Sequence, residues 1–250
     1  LAWTTTPWTL PGNVALAVGE DIDYARVFHD GKTYILARDR VADVFAGKQH
    51  DLKAVVKGAT LLGLAYTPIF PYYNTNATKN VENAFKVYAA DFVTTTDGSG
   101  IVHIAPAFGE DDMKLGQKEK LPFVQHVGMD GRFKPEVRDF AGQEVKPKGA
   151  ATGDHQKTDI EVIKWLAHSG FLFEKKKIIH SYPHCWRCDT PLLNYAASSW
   201  FVRVTEFRDK LVAANKKVSW TPDDIRDGRF GKWLEGARDW AISRSRFWGA

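Results

Sequence analysis

The strongest constraint on the local fold comes from nine residues near the start of the chain, Trp3 to Pro11, which read WTTTPWTLP. Threonine is β-branched, so its χ1 is stiff, and its hydroxyl competes for backbone hydrogen-bond partners. The prolines at positions 7 and 11 fix φ, and Pro7 disfavours a helical conformation for Thr6. The sequence therefore predicts a rigid, non-helical row of hydroxyl groups beside an indole, suited to a small polar ligand with an apolar tail. An edge strand is the alternative, because β-branched and aromatic residues favour strands.

A second segment, from Gly98 to Asp112, reads GSGIVHIAPAFGEDD. Together the two segments resemble the signature segments of the editing domain of isoleucyl-tRNA synthetases, in which WTTTPWTLP is followed by GxGxVHxAPxxGxxD. The residues Thr6 and Pro7 separate this family from its valyl and leucyl relatives, whose threonines are followed by arginine. The resemblance implies a hydrolase that removes valine wrongly esterified to the isoleucine tRNA, acting as the second of two size filters.

The resemblance also implies roles for the first segment. Thr5 and Thr6 would contact the substrate carbonyl, the terminal ribose hydroxyls or the attacking water, and Thr4 would help to bind the substrate. Trp8 would limit the size of the side-chain pocket, although most tryptophans simply pack. Ester hydrolysis needs little more than a positioned water and stabilisation of the developing negative charge, so no cofactor is expected for it.

Asp112 matches the family aspartate and is implied to pair with the α-ammonium group of the substrate. From the residues alone, Asp111 and Asp112 would equally well place negative charge at the start of a helix. His103 is implied to lie beside the substrate side chain, with a steric and hydrogen-bonding role; the alternative is a packed strand histidine. A metal-dependent hydrolase that uses His103, Asp111 and Asp112 is a further alternative, because their residue types suit a metal.

The pair Cys185 and Cys188, spaced CxxC, is half of a tetrahedral zinc site. His180 and His184 could add ligands, although their spacing departs from the zinc-finger pattern. In the resembling family the second cysteine pair lies upstream of the segment where this chain begins, so we expect an incomplete structural zinc half-site. Two free thiols are the alternative.

Short predicted strands dominate from Asn13 to Ala105, and helices are predicted at 110–120, 159–168 and 206–214. The expected fold is mixed β/α, a β-barrel-centred editing domain with peripheral helices. Residues 1–178 would form this domain, and residues 179–250 a small zinc-ribbon-like connector that returns toward a catalytic domain. The ATP-binding signatures HxGH and KMSKS are absent from the sequence, so the chain is not expected to activate amino acids.

The net charge of +4 arises between Arg132 and Arg187, where eleven Lys or Arg residues face seven Asp or Glu residues. Such a segment suits contact with an RNA backbone, and it suits an ordinary solvated surface equally well. The expected partners are the 3′ acceptor end of the isoleucine tRNA, valine as the misacylated amino acid and the ATP-binding catalytic domain, with no membrane. Two cysteines and no long apolar run predict a cytoplasmic protein. The alternatives are an editing domain of a valyl or leucyl relative, or a non-catalytic module that binds the acceptor end.

Overall fold

The computed structural model describes residues 1–147, 153–178 and 181–244. The chain divides into two compact units, Leu1–Ala196 and Ala197–Ala250. The sequence predicted a boundary after residue 178, whereas the first unit continues to Ala196. Hydrogen bonds hold the end of this segment to the rest of the first unit. The Ala196 N–H donates to the Ala107 carbonyl at 2.9 Å, and the Tyr195 hydroxyl donates to the Val127 carbonyl at 3.3 Å.

Two three-stranded sheets form the β structure of the first unit. One has the order β3-β2-β4 and is antiparallel throughout. The other has the order β5-β1-β6, with β1 parallel to β5 and antiparallel to β6. The strands are β1 (Ala15–Val18), β2 (Asp23–His29), β3 (Lys32–Ala37), β4 (Asp51–Lys57), β5 (Val87–Ala89) and β6 (Val102–Ile104).

The expected β-barrel is wrong for the described residues, in which neither sheet closes on itself. Closure requires each edge strand to find a partner. Among the described strands, β4 pairs only with β2, and it is exposed along nearly its whole length. After β4 ends at Lys57, the chain forms a 3-10 helix at Gly58–Leu61 and then an irregular segment, in which Ala65 makes an isolated bridge to Lys86.

Helices flank these sheets, and the second unit contains short helices and a small sheet. The first unit contains α1 (Val41–Val44), α2 (Glu110–Lys118) and α3 (Lys157–His168), and the second contains α4 (Arg208–Asn215), α5 (Asp224–Asp227), α6 (Arg229–Glu235) and the two-stranded sheet of β7 (Phe201–Val202) and β8 (Trp240–Ala241). Among the described residues, every helix is too short or too polar to cross a membrane.

The largest hydrophobic cluster fixes the parts of the fold that carry the two motifs. Trp8 from the first motif, Phe108 from the second and Val162 and Leu166 from α3 are all buried in it. A second cluster joins β1 and β6 to Leu115 of α2. Burying each large apolar side chain contributes about 1.5–3 kcal/mol, so packing brings the two motifs together.

Candidate functional site

The first motif is extended only as far as Thr6. Thr6 has φ −129° and ψ 76°, and a 3-10 helix then runs over Pro7–Gly12. Pro7 suits the first helical position, because the N–H that it lacks would have no partner there. The non-helical prediction is therefore right for Thr6 and wrong from Pro7 onward. The helix turns the hydroxyl of Thr9 back beneath that of Thr6.

A directed chain of hydrogen bonds joins the threonines to the second motif. The Thr9 hydroxyl donates to the Thr6 carbonyl at 2.7 Å, since a carbonyl can only accept. Nε2 of His103 lies 3.0 Å from Oγ1 of Thr9 and must therefore donate to it. The Thr6 hydroxyl, at 3.2 Å, also donates to Oγ1 of Thr9, and the Thr4 hydroxyl lies 3.5 Å from that of Thr6.

The imidazole of His103 is neutral at physiological pH because it is buried. Its residue is 8% exposed, and burial lowers the pKa of His103 to about 4. The proton on Nε2 is committed to Thr9, and Nδ1 has no partner among the described residues. At neutral pH the imidazole can therefore crowd or hydrogen-bond a neighbour, but it is poorly suited to take up a proton.

Asp112 lies in the first turn of α2, where its Oδ2 accepts the Ala105 N–H at 2.8 Å. The carboxylate therefore ties the end of β6 to the start of α2. Burial and then the neighbouring Asp111 raise the pKa of Asp112 to about 6. A Cβ at Gly109 would lie 2.9 Å from Cγ of Asp112, so a residue without a side chain is needed beside the carboxylate. A partly buried carboxylate with a raised pKa is suited to gaining a cationic partner.

The structure separates Asp111 from Asp112. The Asp111 side chain is 59% exposed and pairs with Lys114 at 3.1 Å. Over the part of the chain that is described, no three His, Cys, Asp or Glu side chains gather in a way that could hold a metal ion. His103, Asp111 and Asp112 therefore do not form a metal site among the described residues.

Two residues of the first motif lie away from the hydrogen-bonded chain. Thr5 is exposed and makes no hydrogen bond to any described residue. Trp8 is 2% exposed and packs edge to face on Phe108, with the ring centroids 5.2 Å apart. The structure therefore places Trp8 in the core, and its role as a pocket wall stays a prediction.

The sequence analysis did not identify three residues that contact the motif residues, namely Thr9, His126 and Asp159. Thr9 links Thr6 to His103, and it lies inside the first motif, so its place there was the available signal. His126 and Asp159 contact the backbone of Trp8. Neither lies in a motif, and their contacts could not be read from the sequence.

The cysteines lie on a tight turn closed by the Asp189 N–H, which donates to the Cys185 carbonyl at 2.8 Å. Cys185 is buried, and Cys188 is exposed with its Sγ 3.1 Å from Oγ1 of Thr190. Nδ1 of His184 lies 3.5 Å from the Asp189 carboxylate, and His180 lies outside the described residues. No third donor joins the cysteines among the described residues, so the donor set found there does not fit a complete zinc site.

Comparisons with known proteins give one consistent family. The family described as tRNA synthetases class I (I, L, M and V) matches residues 137–250. Isoleucine–tRNA ligase of Treponema denticola is 50% identical over 262 residues, covering 100% of this chain and 23% of that protein. Isoleucine–tRNA ligase of Bdellovibrio bacteriovorus is 49% identical over 253 residues, with the same two shares. The chain thus spans less than a quarter of the length of these relatives.

Among solved structures, the one described as "The crystal structure of GlLeuRS-CP1" shares 21% identity. The match covers 47% of this chain and 42% of that chain, with a TM-score of 0.40.

Proposed function

The chain belongs to the isoleucyl-tRNA synthetase family, as a segment of such an enzyme, and from that premise we propose that it hydrolyses misacylated tRNA. The reaction is deacylation of valine from the isoleucine tRNA. The observation that carries the proposal is the meeting of the two motifs, in which Thr4, Thr6 and Thr9 form one hydrogen-bonded chain with His103. Asp112 is joined to the same strand end through the Ala105 amide.

Asp112 would anchor the substrate. Above pH 6 its carboxyl is ionised, and it can pair with the α-ammonium group of the aminoacyl ester in a charge-assisted hydrogen bond. A bound cation would lower the pKa of Asp112 again, so substrate binding and ionisation favour each other. The carboxylate thereby fixes the orientation of the ester.

The threonines would position the ester and the water. Thr5 is exposed, so its hydroxyl is accessible to the carbonyl or the ribose. The hydrogen bonds from Thr4 to Thr6 and from Thr6 to Thr9 already orient the hydroxyls of Thr4 and Thr6. These hydroxyls can therefore hold a water without first reorganising. No general base or metal is required of these residues, because positioning supplies much of the barrier reduction for an ester.

His103 and Trp8 would set the size limit. Valine and isoleucine differ by one methylene, and contact with a methylene contributes only about 1–3 kcal/mol to binding. The pocket must therefore exclude isoleucine by steric crowding of its larger side chain. The neutral imidazole of His103, held in place by Thr9, is the side chain best placed for this.

The remaining partners and the compartment follow from the same premise. The 3′ acceptor end of the isoleucine tRNA would be the bound nucleic acid, and the ATP-binding catalytic domain of the longer enzyme would be the neighbouring part. The cytoplasm is the expected compartment. The two cysteines would belong to a structural zinc site that needs ligands beyond those described here.

The decisive experiment compares valyl-tRNA and isoleucyl-tRNA, each charged on the isoleucine tRNA, at high concentration of the chain. We expect deacylation of the valyl form only, unchanged by EDTA and abolished by Asp112→Ala. The matched control is Asp111→Ala, which removes an adjacent but exposed carboxylate. Tight binding without hydrolysis would favour the non-catalytic module, and loss of activity in EDTA would favour a metalloenzyme.

A further inference from the structure

The backbone of Trp8 is held on both sides by side chains distant in the sequence. Its N–H donates to Oδ1 of Asp159 at 3.2 Å, and its carbonyl lies 2.9 Å from Nε2 of His126. The carbonyl can only accept, so His126 donates and is the Nε2–H tautomer. Burial is the main reason that the pKa of His126 falls to about 4, so the ring stays neutral at physiological pH.

Asp159 is itself fixed by a buried ion pair. Its Oδ2 lies 2.5 Å from Nζ of Lys146, and the two side chains are only 13% and 9% exposed. Such a pair contributes little net stability, because desolvation offsets most of the Coulombic attraction. It does fix the orientation of the carboxylate, whose second oxygen then faces the Trp8 amide. Asp159 also belongs to α3, which is anchored in the main core.

His126 is fixed by packing. Its ring stacks on Phe133 with centroids 5.8 Å apart and contacts Phe108 edge to face at 4.6 Å. The ring also lies against the last residue of the 3-10 helix, since a Cβ at Gly12 would be 2.2 Å from its Nδ1. This close contact fixes the position of the His126 ring relative to the 3-10 helix.

We propose that Asp159 and His126 are positioning residues, which hold the 3-10 helix so that Thr6 and Thr9 meet His103 in register. Trp8 lies directly before Thr9, so a shift of its backbone displaces the Thr9 hydroxyl and, with it, the Thr6 hydroxyl that donates to Thr9. Both residues act through the backbone of Trp8 and lie outside both motifs. The inference rests on the proposed deacylation.

The test uses two double variants of the 250-residue chain that differ in one hydrogen-bond acceptor. Both carry Lys146→Met, which removes the cation. One adds Asp159→Asn, whose oxygen can still accept the Trp8 N–H, and the other adds Asp159→Leu, which is similar in size but cannot accept. Both lose the ion pair, so neither retains a buried unpaired charge. Valyl-tRNA deacylation kinetics and hydrogen–deuterium exchange of the Trp8 amide are measured for each.

We expect the variant with Leu at the aspartate position to lose at least about tenfold in kcat with KM unchanged, because a displacement of about 1 Å can cost ~100-fold in rate. Its Trp8 amide should exchange faster, and the variant with Asn should restore both the rate and the protection. Equal kcat in the two double variants, or an effect confined to KM, would overturn the proposal. Equal exchange of the Trp8 amide would overturn it too.

A second variant keeps the test decisive if the first does not fold. His126→Phe removes the donor to the Trp8 carbonyl and keeps an aromatic ring, so kcat should again fall with KM unchanged. Full kcat in this variant would contradict the proposal. A parent chain inactive on valyl-tRNA would instead refute the proposed function, whereas the exchange measurement still decides whether Asp159 holds Trp8.

Discussion

The substitution Asp112→Asn should stabilise the chain while it removes deacylation. The pKa of Asp112 is raised from 3.8 to about 6, chiefly by burial. The folded state therefore holds this proton more tightly than the unfolded state does. Stability from this group is fully present below pH 3.8 and is lost as the pH rises through 6, because the ionised carboxylate is partly buried. The cost at neutral pH is about 3 kcal/mol.

Asparagine removes that cost and keeps an oxygen for the Ala105 N–H. In urea unfolding, the gap in free energy between Asp112→Asn and the parent should widen by about 2 kcal/mol between about pH 4.5 and about pH 8. Asp111→Asn is the matched control: its gap from the parent should widen much less, since it leaves the partly buried Asp112 carboxyl in place. A gap that is independent of pH, or a carboxyl NMR titration of Asp112 near its ordinary value, would refute the reasoning. Because Asn cannot pair ionically with the α-ammonium group, valyl-tRNA turnover should fall at least tenfold, the equivalent of about 1.4 kcal/mol.

Three further predictions test other parts of the structure. His103→Ala should hydrolyse isoleucyl-tRNA faster than the parent while valyl-tRNA turnover changes less; continued sparing of isoleucyl-tRNA would leave His103 as a packed strand residue. Gly12→Ala should lower the free energy of unfolding by about 1–3 kcal/mol, because the added methyl meets His126 at 2.2 Å; an unchanged urea midpoint would contradict that packing. Purified chain should carry well under one zinc per molecule, because Cys185 and Cys188 supply two of four ligands; stoichiometric zinc by elemental analysis would show that other groups complete the site.

The family resemblance predicted from the two motifs is confirmed by isoleucine–tRNA ligases that match across the whole chain at 49–50% identity. Several local elements were also predictable from the residues. An Asp-Gly pair between two strand-like runs favours a hairpin turn, and Asp30 and Gly31, with φ of 46° and 74°, form the tight turn between β2 and β3. The helices expected at 110–120 and 159–168 are present as α2 and α3. Turn chemistry and helical periodicity act over a few neighbouring residues, so one segment contains all the information needed.

The site was predictable as a set of residues but not as an arrangement. The hydrogen bond from His103 to Thr9 spans 94 positions in the sequence, and the one from Trp8 to Asp159 spans 151. Burial determines that His103 is neutral and that Asp112 holds its proton up to about pH 6, and burial depends on every segment packed around them. The open sheets likewise depend on which strand edges find partners. The sequence by itself determined which side chains are present and which short elements form, and only the tertiary structure decided which groups meet and how far water is removed from them.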